Sequence, residues 1–267
     1  MPLSDRLRNI LTKRHFPVLA NFAASNVLLA FDYDGTLAPI ASTPAAARMR
    51  PETRRLLARV ARRYPCVVIS GRPLDDLTRR LRWIPVWHLV GDHGFEHAGG
   101  LHNEVPHVRG WVDQLRQRLP ARRGLVIEQK KNSVTVHYRQ VRDKRRVLEA
   151  IAAAVHHLED ARMVGGAEAI NLLPRAGPHK GMALHQARRV FACDTAIYVG
   201  DDDTDEDAFG SAPADRLLSI RVGTRRASLA RYRLRSQEDV DTLLQALLEL
   251  RAVRSGNRKR PAAGAHA

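Results

Sequence analysis

Two aspartates, Asp32 and Asp34, follow the apolar run Val27–Phe31 in the segment "LLAFDYDGTLAPI". Residues two apart at the end of an extended strand project the same way, so both carboxylates face one side, and Gly35 lets the chain leave without covering them. A second acidic group, Asp201, Asp202, Asp203 and Asp205, ends another apolar run in "VGDDDTDEDAF". Carboxylates this crowded repel one another unless a cation lies between them. Oxygen donors with no paired Cys or His suit a hard ion such as Mg2+. Two further segments bring groups that hold anions: Ser70 in "ISGRP" and Lys180 in "PHKGMAL". A carboxylate nucleophile, a hard cation, a hydroxyl and a lysine are together what phosphoryl transfer requires. Singly, each has an ordinary explanation as a helix cap, a turn residue, a surface lysine or a solvated acidic loop. Four in order, at the edge of one expected sheet, outweigh those explanations.

The elements that must carry these residues are legible as short apolar runs. Val27–Phe31, Cys66–Ile69, His88–Val90, Ala196–Val199 and Leu217–Val222 read as strands buried on both faces, as parallel strands are. Between them lie helical patterns such as "PETRRLLARVARRY", with Leu56, Leu57 and Val60 on one side and arginines on the other, and "KGMALHQARRVF". Alternation of this kind predicts an α/β fold with a doubly wound, mainly parallel sheet, and ligands then sit beyond the carboxyl ends of the strands.

Residues 107–175 follow another pattern. "LVIEQKKNSVTVHYR" predicts a hairpin turning near Lys130 to Asn132, with Val134, Val136 and Tyr138 on one face and Ser133, Thr135, His137 and Arg139 on the other. A helix through Val147, Ile151 and Val155 and a strand over Ala169–Leu173 complete a small α/β insert. The expected division is therefore a core of residues 1–106 and 176–267 and a cap of residues 107–175. The tail "RSGNRKRPAAGAHA", residues 254–267, is expected to be disordered.

Composition narrows the setting. No run of eighteen apolar residues and no leader-like N-terminus appear, so neither a membrane partner nor export is expected. Cys66 and Cys193 each sit beside an apolar run and read as reduced core thiols, which points to the cytoplasm. The 44 Lys and Arg against 28 Asp and Glu leave a net charge of +16, open to two readings: a nucleic-acid binder or a solvated basic surface that draws in anionic substrates. The basic residues are scattered and few aromatics are interleaved with them, which favours the second reading.

In order along the chain, "DYDGTL", "SGR", "HKG" and "GDDDTDEDAF" resemble the four signature motifs of the haloacid-dehalogenase-like (HAD) phosphatases. With "GDHGFE" at 91–96, the chain resembles the trehalose-6-phosphate phosphatases among them, over about residues 27 to 245. The resemblance implies a Mg2+-dependent phosphoric monoester hydrolase that converts trehalose 6-phosphate to trehalose and phosphate through an aspartyl-phosphate intermediate. It makes Asp32 the nucleophile and Asp34 the general acid and base, with Ser70, Gly71 and Lys180 holding phosphate. Asp32, Asp34 and Asp201 would hold the metal, with Asp202 or Asp205 supporting it and Lys180 from behind.

A small sugar phosphate is the expected partner, bound by Arg72, His93 and Glu96 on the core and by His137, Arg139 and Asn171 on the insert. One stretch departs from the family's pattern: "AINLLP" places Asn171 and Leu173 where a Glu and a basic residue usually stand before the proline. The same chemistry on another phosphosugar, such as a mannosyl or glucosyl phosphoglycerate, therefore stays open as the alternative. A basic nucleic-acid-binding protein is the rival of another class, disfavoured by an aspartate cluster that would repel phosphate without a metal.

Overall fold

The computed structural model of the protein describes residues 7–97, 100–101, 107–166, 168–224 and 227–257. In chain order the core opens with β1 (Arg8–Asn9), α1 (Phe16–Ala24), β2 (Val27–Phe31), α2 (Pro51–Ala61), β3 (Cys66–Ile69), α3 (Leu74–Arg80), β4 (His88–Gly91), β5 (Glu96–His97) and β6 (Gly100–Leu101). The insert follows, as α4 (His107–Arg118), β7 (Val126–Gln129), β8 (Val134–His137), α5 (Lys144–Val155), β9 (Ala161–Gly166) and β10 (Ala169–Pro174). The chain then returns to the core with α6 (Lys180–Val190), β11 (Thr195–Gly200), α7 (Glu206–Phe209), β12 (Leu217–Val222), β13 (Tyr232–Leu234) and α8 (Asp239–Asn257).

Each expected core strand is present, and all lie in one sheet ordered β1-β13-β12-β11-β2-β3-β4-β5-β6. From β1 to β4 the pairings are parallel; β5 and β6 turn back antiparallel at the edge. β2 is buried at every residue because helices cover both sides. Leu29 and Phe31 pack with Leu56, Leu57 and Val60 of α2 and Val240, Leu243 and Leu247 of α8. Leu28 and Ala30 pack on the other side with Ala183, Leu184 and Ala187 of α6. Each large apolar side chain so buried contributes about 1.5–3 kcal/mol relative to an exposed one. Pairing brings the ends of β2, β3, β4 and β11 to the same edge of the sheet, which is where the motif residues stand.

The insert has its own four-stranded antiparallel sheet, ordered β7-β8-β10-β9, and its own apolar cluster. Val134 and Val136 face Trp111, Leu115, Val147 and Ile151 of α4 and α5, which leaves Thr135 and His137 on the opposite face. β9 was not foreseen from the pattern, because "ARMVGG" has neither a clean alternation nor the β-branched run of a strand interior. Its two glycines answer to a neighbour instead: a Cβ on Gly165 would overlap Asp203, and one on Gly166 would crowd Asn171 and Asp202.

The expected disordered tail needs a correction at its start, since α8 carries the backbone as helix to Asn257; the rest of that segment lies outside the described residues. Cys66 and Cys193 are both free and buried. Among the described residues, no helix is long and apolar enough to cross a membrane.

Candidate active site

Asp32 is the first residue past β2, is 4% exposed, and donates its backbone N–H to Val199 O of β11 at 2.9 Å. The chain then turns within a few residues: Ala38 N donates to Tyr33 O and Gly35 N to Ala38 O, with Gly35 in the left-handed region at φ 77. A Cβ on Gly35 would overlap the carboxylate of Asp201. The glycine is thus required twice, for its backbone conformation and for the close approach of the second acidic loop.

That loop is set by three buried anchors. Asp205, fully buried, accepts from Lys180 Nζ at 2.7 Å, Tyr198 Oη at 2.8 Å and its own loop's Asp202 N–H at 2.9 Å. Arg221 of β12 donates to Asp201 O and to Glu206 Oε1, each at 2.5 Å, and so binds the loop's backbone to the sheet. Thr36 Oγ1 donates to Asp201 Oδ1 at 3.2 Å. Tyr198 and Arg221 were not foreseen as part of the site. A tyrosine and an arginine inside apolar strands carry no local signal beyond the cost of burying them unpaired.

Lys180 begins α6 and is 2% exposed, with its ammonium 3.2 Å from Asp32 Oδ1 as well as on Asp205. Burial works against its charge, but Asp205 and Asp32 outweigh burial and raise its pKa. Burial pushes the Asp32 carboxyl up to about 8, with Lys180 opposing and Asp205 and Asp34 adding to the rise. Asp201 is likewise held well above the carboxylate range, first by burial and then by Asp32, Asp205 and Asp202.

Oxygens of Asp32, Asp201 and Asp205 lie within 4.8 Å of one another. The Lys180 contact with Asp32 lacks hydrogen-bond geometry, so Asp32 Oδ1 is a buried oxygen with no donor. A cation placed among these carboxylates would relieve that orphan and the mutual repulsion, and the donor set, oxygen throughout, fits a hard divalent ion. Asp205 already accepts three hydrogen bonds, so Asp32 and Asp201 are the carboxylates with capacity left. Asp34, expected as a third ligand, is not in this group: its carboxylate is paired with Arg72, whose Nε and Nη2 each lie 2.6 Å from one of its oxygens.

Ser70, 1% exposed, ends β3 through its N–H to Val90 O and is followed by Gly71, against which the ring of His93 packs so closely that a Cβ there would overlap it. Asp92 and His93 both have positive φ, 44° and 59°, a costly conformation for residues with a Cβ. The turn is held by Asp92 N–H to Arg72 O and His93 N–H to Ser70 O. Both ring nitrogens of His93 are buried and have no partner. Burial, then Lys130, Lys180 and Arg162, keep this ring neutral by pushing its pKa well below 6.5.

A cavity of about 760 Å3 joins these groups. Asp32, Asp34, Ser70, Gly71, Arg72, His93, Lys180, Asp201 and Asp202 line it from the core, and His137, Arg139 and Asn171 from the insert. Asp205, beneath Lys180, is not in the lining. Glu96, expected to read sugar, does not reach the cavity either: its Oε2 accepts the Leu74 N–H at 2.7 Å at the start of α3. Arg72 reaches the cavity, but four of its five N–H donors go to Asp34, Asp76 and Pro44 O.

On the insert, His137 Nε2 lies 2.7 Å from Glu128 Oε2, and this contact is the main reason the Glu128 carboxyl is held below its usual range. Arg139 donates to Ala41 O at 3.1 Å, and Asn171 accepts from Thr135 Oγ1 at 3.0 Å. Leu173 is buried. Glu128 and Lys130, also in the lining, were overlooked in the hairpin because alternation in "VIEQKK" was read only for its apolar positions.

The insert sits closed on the core. Its hairpin turn is fastened to Asp92, which accepts from Asn132 N at 2.9 Å and from Ser133 Oγ, while Lys130 Nζ donates to Gly71 O at 2.8 Å. At the other side Arg162 of β9 holds Asp207 of α7 through two hydrogen bonds of 2.9 and 2.7 Å.

The chain is similar to known proteins in both sequence and fold. The chain is 36% identical over 208 residues to the trehalose-phosphate phosphatase of Mycolicibacterium paratuberculosis, a match covering 72% of this chain and 53% of the relative. It is 37% identical over 196 residues to that of Mycobacterium tuberculosis, covering 67% and 49%. The chain thus spans about half the length of the curated relatives it matches. Among solved structures it is similar to the C-terminal domain of the C. albicans trehalose-6-phosphate phosphatase, with a TM-score of 0.78 at 23% identity over 92% of this chain and 99% of that one. A phosphatase of the haloalkanoate (HAD) superfamily from Bacteroides thetaiotaomicron shares the fold, with a TM-score of 0.61 at 14% identity over 85% and 96%. The family model for trehalose-phosphatase matches residues 30–238, from the strand that presents Asp32 to the start of the last helix, and the chain belongs to that family.

Proposed function

We propose that the protein is a divalent-metal-dependent phosphatase that releases trehalose from trehalose 6-phosphate through an aspartyl-phosphate on Asp32. The observation that carries this reading is the juxtaposition of Asp32, Lys180 and Asp201 at the floor of one cavity whose roof is a separate polar sheet face. In the reading, a carboxylate oxygen of Asp32 bonds to phosphorus while the bond from phosphorus to the sugar oxygen breaks, and Asp34 gives that oxygen a proton. Asp34 then takes a proton from the water that attacks phosphorus, and the acyl phosphate splits back to Asp32 and free phosphate. Lys180 and Ser70 hold the phosphoryl oxygens, mostly by fixed charge and hydrogen bonding. Mg2+, with Asp32 and Asp201 as its carboxylate ligands, would supply positive charge to the nucleophile and the phosphoryl group.

Residues 107–175 act in this reading as a cap over the core of residues 1–106 and 176–267, and the cap selects the sugar. His93, with two unused ring nitrogens, binds hydroxyls from the core side; His137, Arg139 and Asn171 bind them from the cap. Free buried thiols fit a cytoplasmic setting. The neutral Asn171 beside Leu173 favours a second reading, in which the same chemistry serves another phosphosugar.

Phosphate release measured over a panel of sugar phosphates, with Mg2+ and with chelator, tests the proposal. Trehalose 6-phosphate is expected to lead glucose 6-phosphate in kcat/KM by about tenfold or more, with activity lost on chelation. A glycosyl phosphoglycerate in first place would shift the substrate assignment, and release from none of them would overturn the phosphatase reading.

A further inference from the structure

Asp34 and Arg72 come from different strand ends and meet as a bidentate pair, with Arg72 Nε 2.6 Å from Oδ2 and Nη2 2.6 Å from Oδ1. The same guanidinium is held on its other sides: Nη1 donates to Asp76 Oδ2 at 2.7 Å, Nη2 also to Pro44 O at 2.6 Å, and the group lies over the Tyr33 ring at 5.3 Å. Arg72 is 7% exposed, whereas the Asp34 side chain is 40% exposed and borders the cavity. An arginine with its donors fixed on protein acceptors is an anchor, with little left to offer an incoming phosphate. A carboxylate has about four lone-pair sites, so a bidentate pair leaves Asp34 about two for the cavity.

We infer that Arg72 is a positioning residue: it fixes the orientation of Asp34, and thereby the direction in which Asp34 gives and takes protons. The inference rests on the phosphatase reading above, in which Asp34 serves the leaving oxygen and the attacking water. The loop that carries Arg72 is clamped along its backbone. His93 N–H donates to Ser70 O at 3.0 Å, Asp92 N–H to Arg72 O at 2.8 Å and Lys130 Nζ to Gly71 O at 2.8 Å. The last of these comes from the insert, so closure of the roof and placement of Asp34 act on one three-residue segment. The same clamps steady Ser70, which holds the phosphoryl oxygens in that reading; what is particular to Arg72 is its guanidinium, which gives four N–H bonds to protein acceptors, two of them to Asp34.

The test compares Arg72→Gln and Arg72→Lys with the parent in three measurements: kcat and KM for trehalose 6-phosphate, the first turnover of p-nitrophenyl phosphate, and the Ki of inorganic phosphate. For Arg72→Gln the expected result is a kcat on the sugar ester lower by about 100-fold or more, with KM and the phosphate Ki within about threefold of the parent. First-turnover release of p-nitrophenolate should fall by less than about tenfold, because that leaving group departs without a proton. Arg72→Lys should recover no more than about a tenth of the lost rate, since an ammonium cannot restore the two parallel hydrogen bonds.

A tenfold rise in both KM and the phosphate Ki would overturn the inference and make Arg72 an anion ligand. Equal losses on both esters would also overturn it, leaving Arg72 a support of the fold. If Arg72→Gln does not fold by circular dichroism, Asp76→Ala, which removes the acceptor of Nη1, decides by the same pattern, with a kcat loss of about tenfold on the sugar ester alone. A parent inactive on both esters sinks the phosphatase reading and this inference with it, and that result is in hand before any variant is measured.

Discussion

Gly35 and Asp201 approach so closely that a Cβ on Gly35 would overlap the Asp201 carboxylate, although they lie on different strand ends. The turn after Asp32 and the second acidic loop are therefore packed into one another. Gly35→Ala must displace Asp201 and also hold alanine at φ 77. The expected cost is about 1–3 kcal/mol of stability with a loss of phosphatase activity of about 100-fold, read by urea denaturation and phosphate release. A variant with normal activity would show that the turn can move without cost.

Asp32 and Asp205 flank the same ammonium, yet their amide variants should behave oppositely. Asp32→Asn is expected to lose activity by about 1,000-fold or more while keeping or raising stability in metal-free buffer, since a neutral amide removes the burial penalty on the carboxylate. Asp205→Asn takes the closer carboxylate from Lys180, a charge only 2% exposed. Breaking a buried pair in this way costs about 3–5 kcal/mol. Urea midpoints of the two variants, measured side by side, check the contrast, and equal destabilisation would contradict it.

His93 supplies a pH dependence. Burial first, and then Lys130, Lys180 and Arg162, hold its pKa well below the ordinary 6.5, so the unfolded chain takes up a proton below that pH that the folded chain refuses. Because the unfolded state binds more protons at this position, the contribution of His93 to stability falls as pH drops through 6.5, by up to about 1.4 kcal/mol per pH unit, while the raised carboxyls of Asp32 and Asp201 contribute with the opposite sign. His93→Asn, which tolerates the left-handed backbone, should lack this contribution. Denaturation at pH 7.5, 6.5 and 5.5, values chosen to span about the ordinary histidine range, should show the stability of the parent relative to the variant falling toward acid; parallel slopes would refute the assignment.

The legible part of the site consists of residues whose chemistry and position are announced by their neighbours. Asp32 and Asp34 follow an apolar run and precede a glycine; Lys180 opens a helix; Asp201 and Asp205 end a strand. Arg72 and Glu96 were legible as polar residues near strand ends, but their partners were not, since Asp34 lies 38 residues from Arg72 and the Leu74 N–H lies 22 from Glu96. Arg221 and Tyr198 sit inside strands otherwise read as apolar, and their hydrogen-bond partners lie in the loop after β11 and at the start of α7.

By itself the sequence determined the periodicities of the strands and helices, and with them the parallel core sheet, the small insert and the motif residues at the strand ends. Those features depend on each residue's own hydrophobicity and backbone preference, which act over a few positions. Only the tertiary structure decided that Asp205 spends its oxygens on Lys180, Tyr198 and Asp202 while Asp32 keeps one without a donor. It also turned Asp34 to Arg72, Glu96 to the start of α3, and the glycines of β9 against Asp202 and Asp203. A buried charge or a hydrogen bond is satisfied by whichever group folding brings within about 3 Å, and chain separation places no limit on which group that is.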